Sequence, residues 1–228
     1  MNFNKVGYLY AISQILLLSS CDKGGASFSV LSSSTEYQQE VTYEPRKIDV
    51  LFVVDNSGSM SSSQINLANN FPSFINYFKS KGYDYKIAVT TTDAFYGSQF
   101  ISNGCSLCNE NQTKFKSGTD PKIYVIDNTT PDLEAVFAQN VNVGITGSGD
   151  ERAFSSFKAA LTSSLNANFH RPTAFLSVII VSDEEDFSHD EITFNESYSQ
   201  PTLHSIASYK SFLESFTSGQ STSDFHVS

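Results

Sequence analysis

Three oxygen-bearing side chains stand at alternate positions directly after an apolar run, in the segment IDVLFVVDNSGSM at residues 48–60. They are Asp55, Ser57 and Ser59, and Gly58 between the serines allows the tight turn that would bring their oxygens together. A carboxylate and hydroxyls are hard ligands, which suit Mg²⁺, Mn²⁺ or Ca²⁺ better than soft metals. The spacing therefore indicates a divalent-cation site, although in a Ser-rich chain the same spacing also arises by chance.

Two later segments carry groups that could complete this site. The run LSVIIVSD places Asp183 at the end of a second apolar segment. Ligands of open α/β sheets bind at the carboxyl edge of the strands, so Asp55 and Asp183 would meet there if their strands are neighbours. The Gly-rich loop VGITGSGDE at residues 143–151 offers a further hydroxyl, from Thr146 or Ser148. A simple helix-capping turn is the alternative interpretation of this loop.

Strands and helices alternate along the chain from residue 47 onward. Apolar runs predict strands at 48–55, 83–93, 122–127, 173–183 and 224–228. Helical spacing of apolar residues predicts helices at 61–79, 132–141, 151–165 and 202–218, with Pro72 expected to kink or split the first. The alternation predicts a doubly wound, Rossmann-like α/β fold with a mainly parallel central sheet and helices on both faces. Because the last strand breaks off in FHVS, we expect this fold to be truncated at its C-terminus.

The composition limits the classes of partner that the chain can bind. The net charge of -10 argues against nucleic acid, since phosphate binding needs clustered Lys and Arg. The same charge is compatible with cation binding. The densest acidic run, DEEDFSHDE at residues 183–191, predicts a solvated loop, with a second cation-binding patch as the alternative.

The first 45 residues differ in character from the rest of the chain. Asn2–Lys5 carries one positive charge, and an apolar stretch at 6–18 follows that is short for a membrane span. It ends in LSSC, which resembles the lipobox of bacterial lipoproteins. The resemblance implies a signal peptide at 1–20, acylation of Cys21, a tether at 21–45, and a lipid anchor on the outer membrane or the periplasmic face of the inner membrane. An ordinary signal peptide with an incidental cysteine is the alternative.

Two cysteines lie in a long polar insertion at residues 94–121, in the sequence CSLC. A zinc site needs four ligands, and no other cysteine remains once Cys21 is acylated. A redox pair usually stands between a strand and a helix start rather than in a polar loop. A local disulfide between Cys105 and Cys108 is therefore favoured.

The strand followed by DNSGSM resembles the D-x-S-x-S signature of von Willebrand factor A domains, and the resemblance covers residues 46–228. In that family a later hydroxyl-bearing loop and a strand-terminal aspartate complete a metal-ion-dependent adhesion site, for which Mg²⁺ is the first expectation. Carried over, the direct ligands would be hydroxyls, from Ser57, Ser59 and either Thr146 or Ser148. The ligands acting mostly through water would be the carboxylates of Asp55 and Asp183.

The family leaves one coordination position open, which a partner's carboxylate fills. The resemblance thus implies a membrane-anchored envelope lipoprotein that binds a protein partner through a divalent cation and is not an enzyme. A structural docking subunit of an envelope complex is one alternative. A metal-dependent hydrolase is a weaker one, since the chain lacks G-x-x-x-x-G-K-[ST], G-x-S-x-G, and a D-x-D at Asp55.

Overall fold

The computed structural model describes residues 44–99, 105, 108–191, 199, 201–217 and 225–228. The predicted signal peptide, Cys21 and all but the last two residues of the predicted tether lie outside the described residues. The described residues belong to one unit, Glu44–Ser228. Within them, no helix has both the length and the apolar character needed to cross a membrane.

The described strands form a single five-stranded sheet. They are β1 (Lys47–Val54), β2 (Asp84–Thr91), β3 (Val125–Asp127), β4 (Phe175–Val181) and β5 (Phe225–Val227). Their order is β3-β2-β1-β4-β5, and every neighbouring pair is parallel except β2 and β3, which are antiparallel. An antiparallel edge strand on a parallel sheet is common in doubly wound proteins. The predicted α/β class with a mainly parallel sheet is confirmed.

The helices described are α1 (Ser61–Ser80), α2 (Leu133–Val141), α3 (Ala153–Thr162) and α4 (Ile206–Thr217), with short 3₁₀ helices at Ala94–Gly97, Glu110–Thr113 and Ser164–Asn166. Pro72 does not split α1, which is continuous through it. Phe71 and Ile75, on either side of the proline, are buried in the core, and this packing offsets the one backbone hydrogen bond that proline cannot donate. The chain leaves α1 through Gly82, whose φ of 62° is a conformation that glycine adopts without strain.

The central strand β1 is buried on both faces because its side chains alternate between two apolar clusters. Val50, Phe52 and Val54 pack in the cluster that contains α1 and α2. Leu51 and Val53 pack in the cluster that contains α3 and α4. Helices therefore cover both faces of the sheet, as the sequence predicts.

The chain reverses its direction across the sheet at β1. From β1 it passes through α1 to β2 on one side, and it later passes through α3 to β4 on the other side of β1. In doubly wound sheets such a reversal opens a crevice at the carboxyl ends of the two strands concerned. In this chain the crevice lies where β1 and β4 end.

Candidate cation site at the carboxyl edge of the sheet

The register of β1 and β4 brings two of the predicted site segments together. Val54 is paired with Val181, and the ladder continues one step further because the backbone N–H of Asp55 donates to the carbonyl oxygen of Val181 at 2.9 Å. Asp55 and Asp183 thus both lie within two residues of the paired strand ends. The condition set by the sequence, that their strands be neighbours, is met.

Asp55 is fully buried and is held by neutral donors. Its Oδ1 accepts a hydrogen bond from the backbone N–H of Ser57 at 2.7 Å, and its Oδ2 accepts one from the Ser182 hydroxyl at 2.8 Å. Its exposed fraction is 0%. These bonds fix the orientation of the carboxylate while leaving its negative charge without a positive partner in either bond.

Three further predicted ligands form a chain that leads from the interior to the surface. The hydroxyl oxygens of Ser57 and Ser59 are 3.3 Å apart, and the Ser59 hydroxyl donates to Asp183 Oδ1 at 3.1 Å. Ser57 is buried, whereas Ser59 and Asp183 are exposed. The structure therefore brings together four of the six predicted site residues, counting Asp55.

The Gly-rich loop is fastened to the same turn by its backbone. The N–H of Gly147 donates to the carbonyl oxygen of Asn56 at 2.8 Å, and the Gln64 side chain donates to the carbonyl oxygens of Asp55 and Gly144 at 3.0 and 2.8 Å. A Cβ atom at Gly147 would collide with the side-chain amide of Asn56, so the close approach requires glycine there. This loop is thus positioned against the site.

Thr146 and Ser148, the rival hydroxyls of this loop, are placed differently from each other. Thr146 is exposed. The Ser148 hydroxyl accepts hydrogen bonds from the Asp150 N–H at 3.0 Å and from the Tyr96 hydroxyl at 3.4 Å. Within the described part of the chain, no hydrogen bond links Thr146 or Ser148 to the four side chains that come together.

Asp93, which follows β2, is a third acid at this edge. Its Oδ2 accepts a hydrogen bond from the Asn56 amide at 2.9 Å, and both of its carboxylate oxygens receive the Ser148 N–H, at 3.2 and 3.3 Å. Burial raises the pKa of Asp93, and these hydrogen bonds act in the opposite direction. Asp93 therefore ties the loop to the turn after β1. The sequence holds a signal for it, since β2 also runs into an aspartate.

Glu151 is a buried acid beside this site that sequence reasoning missed. It is 2% exposed, and neither of its carboxylate oxygens has a hydrogen-bond partner among the described residues. Burial, followed by the negative charge of Asp55, raises the pKa of Glu151 to about 7, whereas the nearby Ser57 hydroxyl acts to lower it. Its position at the end of the Gly-rich loop was the available signal, but a glutamate at the start of a predicted helix is common because its charge suits the helix N-terminus.

The acidic run at residues 183–191 divides into two parts. Asp183, Glu184 and Glu185 are exposed, in line with a solvated loop. Asp186 instead accepts a hydrogen bond from the Phe154 N–H at 2.9 Å, in the first turn of α3. A helix leaves its first N–H groups without partners, so this aspartate acts as a cap supplied from a distant segment. The prediction of a solvated loop is therefore wrong for residues 186–189, whereas Asp190 and Glu191 at the end of the run are exposed.

The donor set at this edge fits a hard divalent cation. All of its groups are oxygens, and the two orphaned carboxylate oxygens of Glu151 need either protons or a cation. Among the described residues, no group of three or more His, Cys, Asp or Glu side chains is arranged to hold a metal. An ion at this edge would thus need serine hydroxyls as well as carboxylates, which are the ligands that the D-x-S-x-S spacing offers.

The cysteines of the polar insertion are joined to each other. Cys105 and Cys108 form a disulfide, with Cα atoms 5.1 Å apart. The disulfide closes a short turn, in which the Cys108 N–H also donates to the Cys105 carbonyl oxygen at 3.2 Å.

Comparison with known proteins leaves the family open. No protein-family model matches the chain, and no curated protein matches it. Among solved structures, the chain is similar to the pilus adhesin SpaC from Lactobacillus rhamnosus GG in its open conformation, with 10% identity and a TM-score of 0.43 over 82% of this chain. The chain spans about a quarter of that adhesin, 24% of its length. A likeness this distant assigns no function, which is inferred below from the residues of this chain.

Proposed function

We propose that this chain is a divalent-cation-dependent binding module of the von Willebrand factor A type, which takes hold of an acidic group on a protein partner. One observation carries the proposal. Side chains from the turns after β1 and β4 meet at the crevice where the sheet reverses, and their oxygens are linked from Ser57 through Ser59 to Asp183. Such a set of hydroxyls and carboxylates has the chemistry of a hard-cation site.

The burial of these groups assigns them different tasks. Asp55 lies fully buried behind the serines and is oriented by its two hydrogen bonds. Ser59 and Asp183 lie at the surface, so a partner can approach from their side. When bound there, a divalent cation supplies an electrophilic position for a carboxylate from outside. Mg²⁺ is the first candidate, and Mn²⁺ and Ca²⁺ suit the same oxygens.

The proposal is for binding without catalysis. The described groups at this edge are hydroxyls and carboxylates linked by hydrogen bonds. Holding a cation with such oxygens needs no chemical step. A docking subunit of an envelope complex would use the same surface and would differ only in its partner.

Ion titration of the purified full chain by calorimetry, with Mg²⁺, Mn²⁺ and Ca²⁺ in turn, tests the site. Asp55→Ala should abolish binding while circular dichroism shows the sheet still formed. Glu134→Gln, which changes an exposed acid on α2, should bind as the unaltered protein does. Ion binding by Asp55→Ala at unaltered affinity would remove the basis of the proposal.

The partner can be sought by pull-down from a bacterial envelope extract, with Mg²⁺ present in one arm and a chelator in the other. A protein captured with Mg²⁺, and lost both on chelation and with Asp55→Ala bait, is the expected result. A set of captured proteins that is the same in all three arms would contradict cation-dependent binding.

We also propose that acylated Cys21 anchors the module to the cell envelope, on the basis of the LSSC sequence alone. Several acyl chains hold a protein stably at a membrane where one does not. Cys21→Ser should move the protein from the membrane fraction to the soluble fraction, whereas Cys105→Ser should leave it with the membrane. Continued membrane association of Cys21→Ser would rule out this anchor.

A further inference from the structure

Glu151 is the most poorly satisfied charged side chain beside the candidate site. It is 2% exposed, and both of its carboxylate oxygens lack hydrogen-bond partners among the described residues. Burying a carboxylate without a partner is costly, and native structures seldom tolerate it unless a proton, a cation or a metal completes the group. The position of Glu151 therefore suits a site at which a proton or a cation completes its carboxylate.

The charges around Glu151 are mainly of the wrong sign to satisfy it. The negative charges of Asp55 and Glu184 both act against its ionisation. The neighbouring Arg152 donates to Asp150 Oδ2 and to the carbonyl oxygen of His189, at 2.5 and 2.8 Å, so an acid already faces its guanidinium. A divalent cation between Glu151 and Asp55 would relieve the repulsion between the two carboxylates.

The backbone holds Glu151 in place from two sides. Its carbonyl oxygen accepts a hydrogen bond from the Phe187 N–H at 2.9 Å, which joins it to the segment after β4. The loop that leads to it is fastened to the turn after β1 by the bond from Gly147 to Asn56 at 2.8 Å. The side chain is thus positioned beside Asp55 and Ser57 by the same two segments that carry the other ligands.

We propose that Glu151 supplies the ligand from the Gly-rich loop to the divalent cation held by Asp55 and Ser57, at the place where the resemblance expects a hydroxyl of Thr146 or Ser148. The inference rests on the proposed function, since it presumes a cation at this edge. It follows from two facts on these residues: the Ser148 hydroxyl is engaged by Asp150 and Tyr96, and the oxygens of Glu151 are buried with no hydrogen bond of ordinary length and only the Ser57 hydroxyl nearby.

An anionic ligand in this position has a consequence that a neutral hydroxyl would not have. Without a cation, two buried carboxylates destabilise the fold by mutual repulsion and by their loss of hydration. With a cation bound, the same carboxylates become its strongest ligands. The replacement of Glu151 by glutamine should therefore weaken cation binding and, at the same time, stabilise the protein when no cation is available.

The first test is calorimetric titration of the full chain with Ca²⁺ and with Mg²⁺, at mildly alkaline pH. Glu151→Gln should lower the affinity for the tighter of the two ions by about tenfold or more, as loss of a carboxylate ligand does. The matched control is Glu184→Gln, which removes a nearby exposed charge and should change the affinity by less than about threefold through solvent-screened electrostatics alone. A smaller loss for Glu151→Gln than tenfold, or one no greater than the control, overturns the inference.

The second test is thermal unfolding of the same variants in chelator. Glu151→Gln should melt at a higher temperature than the unaltered protein there, and it should gain less on addition of the ion. An equal or lower melting temperature in chelator would show that Glu151 is already satisfied within the chain, and it would overturn the inference.

The two proposals fail in different ways. If the unaltered protein binds neither ion, the cation site and the role of Glu151 are both wrong. If the unaltered protein binds an ion, Asp55→Ala does not, and Glu151→Gln binds as tightly as Glu184→Gln, the site stands and only the role of Glu151 is wrong.

Discussion

Two fully buried aspartates mark the opposite ends of β1, and their surroundings differ. Asp49, near the amino end, receives the backbone N–H of Arg171 at 2.7 Å and its guanidinium at 2.8–2.9 Å. Asp55, just past the carboxyl end, receives a backbone N–H and a serine hydroxyl. The first acid is neutralised by a cation of the chain itself, whereas the hydrogen bonds of the second come from neutral donors.

The amino end of β1, where Arg171 neutralises Asp49, is called here the neutralised end, and it has the features of a structural ion pair. Arg171 also binds the Asp84 carboxylate at 2.6 Å and the Asp84 carbonyl oxygen at 3.0 Å, so it ties the starts of β1 and β2 together. Burial alone would lower the pKa of Arg171, but the hydrogen bonds and charges of Asp84 and Asp49 outweigh burial and raise it. Its guanidinium therefore stays charged in the folded protein.

One strand therefore carries a structural ion pair at one end and the proposed cation site at the other. A buried acid with an internal cation is complete, and nothing needs to be added to it. Asp55 has beside it a second buried acid, Glu151, that raises the local negative charge instead of cancelling it. In the proposed function a cation from solution completes this end, and the ion-free protein is less stable for lack of it.

The largest expected effect comes from breaking the neutralised end. Arg171→Met keeps most of the side-chain volume but leaves Asp49 buried without its partner, so the free energy of unfolding should fall by about 3–5 kcal/mol. Urea denaturation measures this loss. The control is Lys79→Met, whose ion pair with Glu134 joins side chains that are 44% and 46% exposed, and solvent screening should keep its cost below about 1 kcal/mol. A loss for Arg171→Met no larger than that of the control would erase the distinction between the ends.

The next effect should separate the two ends by their response to added ion. At a concentration of one hundred times its dissociation constant, a cation that binds only the folded protein adds about 2.7 kcal/mol of stability. For a domain of this size that raises the melting temperature by roughly 5–10 °C. Asp55→Ala should lose this ion-dependent rise in melting temperature entirely, as measured by calorimetric melting with and without the ion.

Arg171→Met is the control at the other end of β1. It should melt at a lower temperature than the unaltered protein but should show the same rise in melting temperature when the ion is added. Sites at the two ends of a strand share no partners, so their effects should add. If Asp55→Ala keeps the ion-dependent rise in melting temperature, or if Arg171→Met loses it, the proposed place of the cation at the carboxyl end of β1 is contradicted.

The sequence predicted the layers of the fold better than the partners of individual acids. Long periodic segments predicted the strands, the helices and the mainly parallel sheet, because burial imposes those periods locally. It could not show that Pro72 leaves α1 whole, since that depends on how Phe71 and Ile75 pack against the sheet. It likewise could not show that β3 runs antiparallel to β2, since the apolar pattern of a short strand does not encode its direction.

Among the site residues, those with local spacing were the accessible ones. A spacing that can be recognised within five positions of the sequence identifies Asp55, Ser57 and Ser59. The hydrogen bond from Ser182 to Asp55 depends on the register of β4 against β1, which no local pattern encodes. The orphaned state of Glu151 is a property of three-dimensional burial and is therefore invisible in the sequence.

A smaller effect should separate structural from solvated acids within the carboxyl end itself. Asp186→Ala removes the acceptor of the Phe154 N–H and should cost about 1–2 kcal/mol of unfolding free energy, as the loss of a helix cap does. Glu185→Ala, at an exposed position of the same segment, should stay within about 0.5 kcal/mol. Urea denaturation in chelator makes the measurement independent of the cation. Equal costs for the two variants would mean that Asp186 does not cap α3.

The smallest expected effect concerns the two hydroxyls of the Gly-rich loop. Thr146 is exposed and lies outside the hydrogen-bonded chain from Ser57 to Asp183, so Thr146→Ala should change the calorimetric ion affinity by less than about threefold. Ser148→Ala should also leave the affinity nearly unchanged but should lower stability by about 1 kcal/mol, since it removes the acceptor for the Asp150 N–H. A tenfold loss of ion affinity in Thr146→Ala would instead make the threonine a direct ligand, which is one of the two alternatives that the von Willebrand factor A resemblance leaves open. In that case the carboxyl end would resemble that family more closely, and the unpaired oxygens of Glu151 would need another explanation.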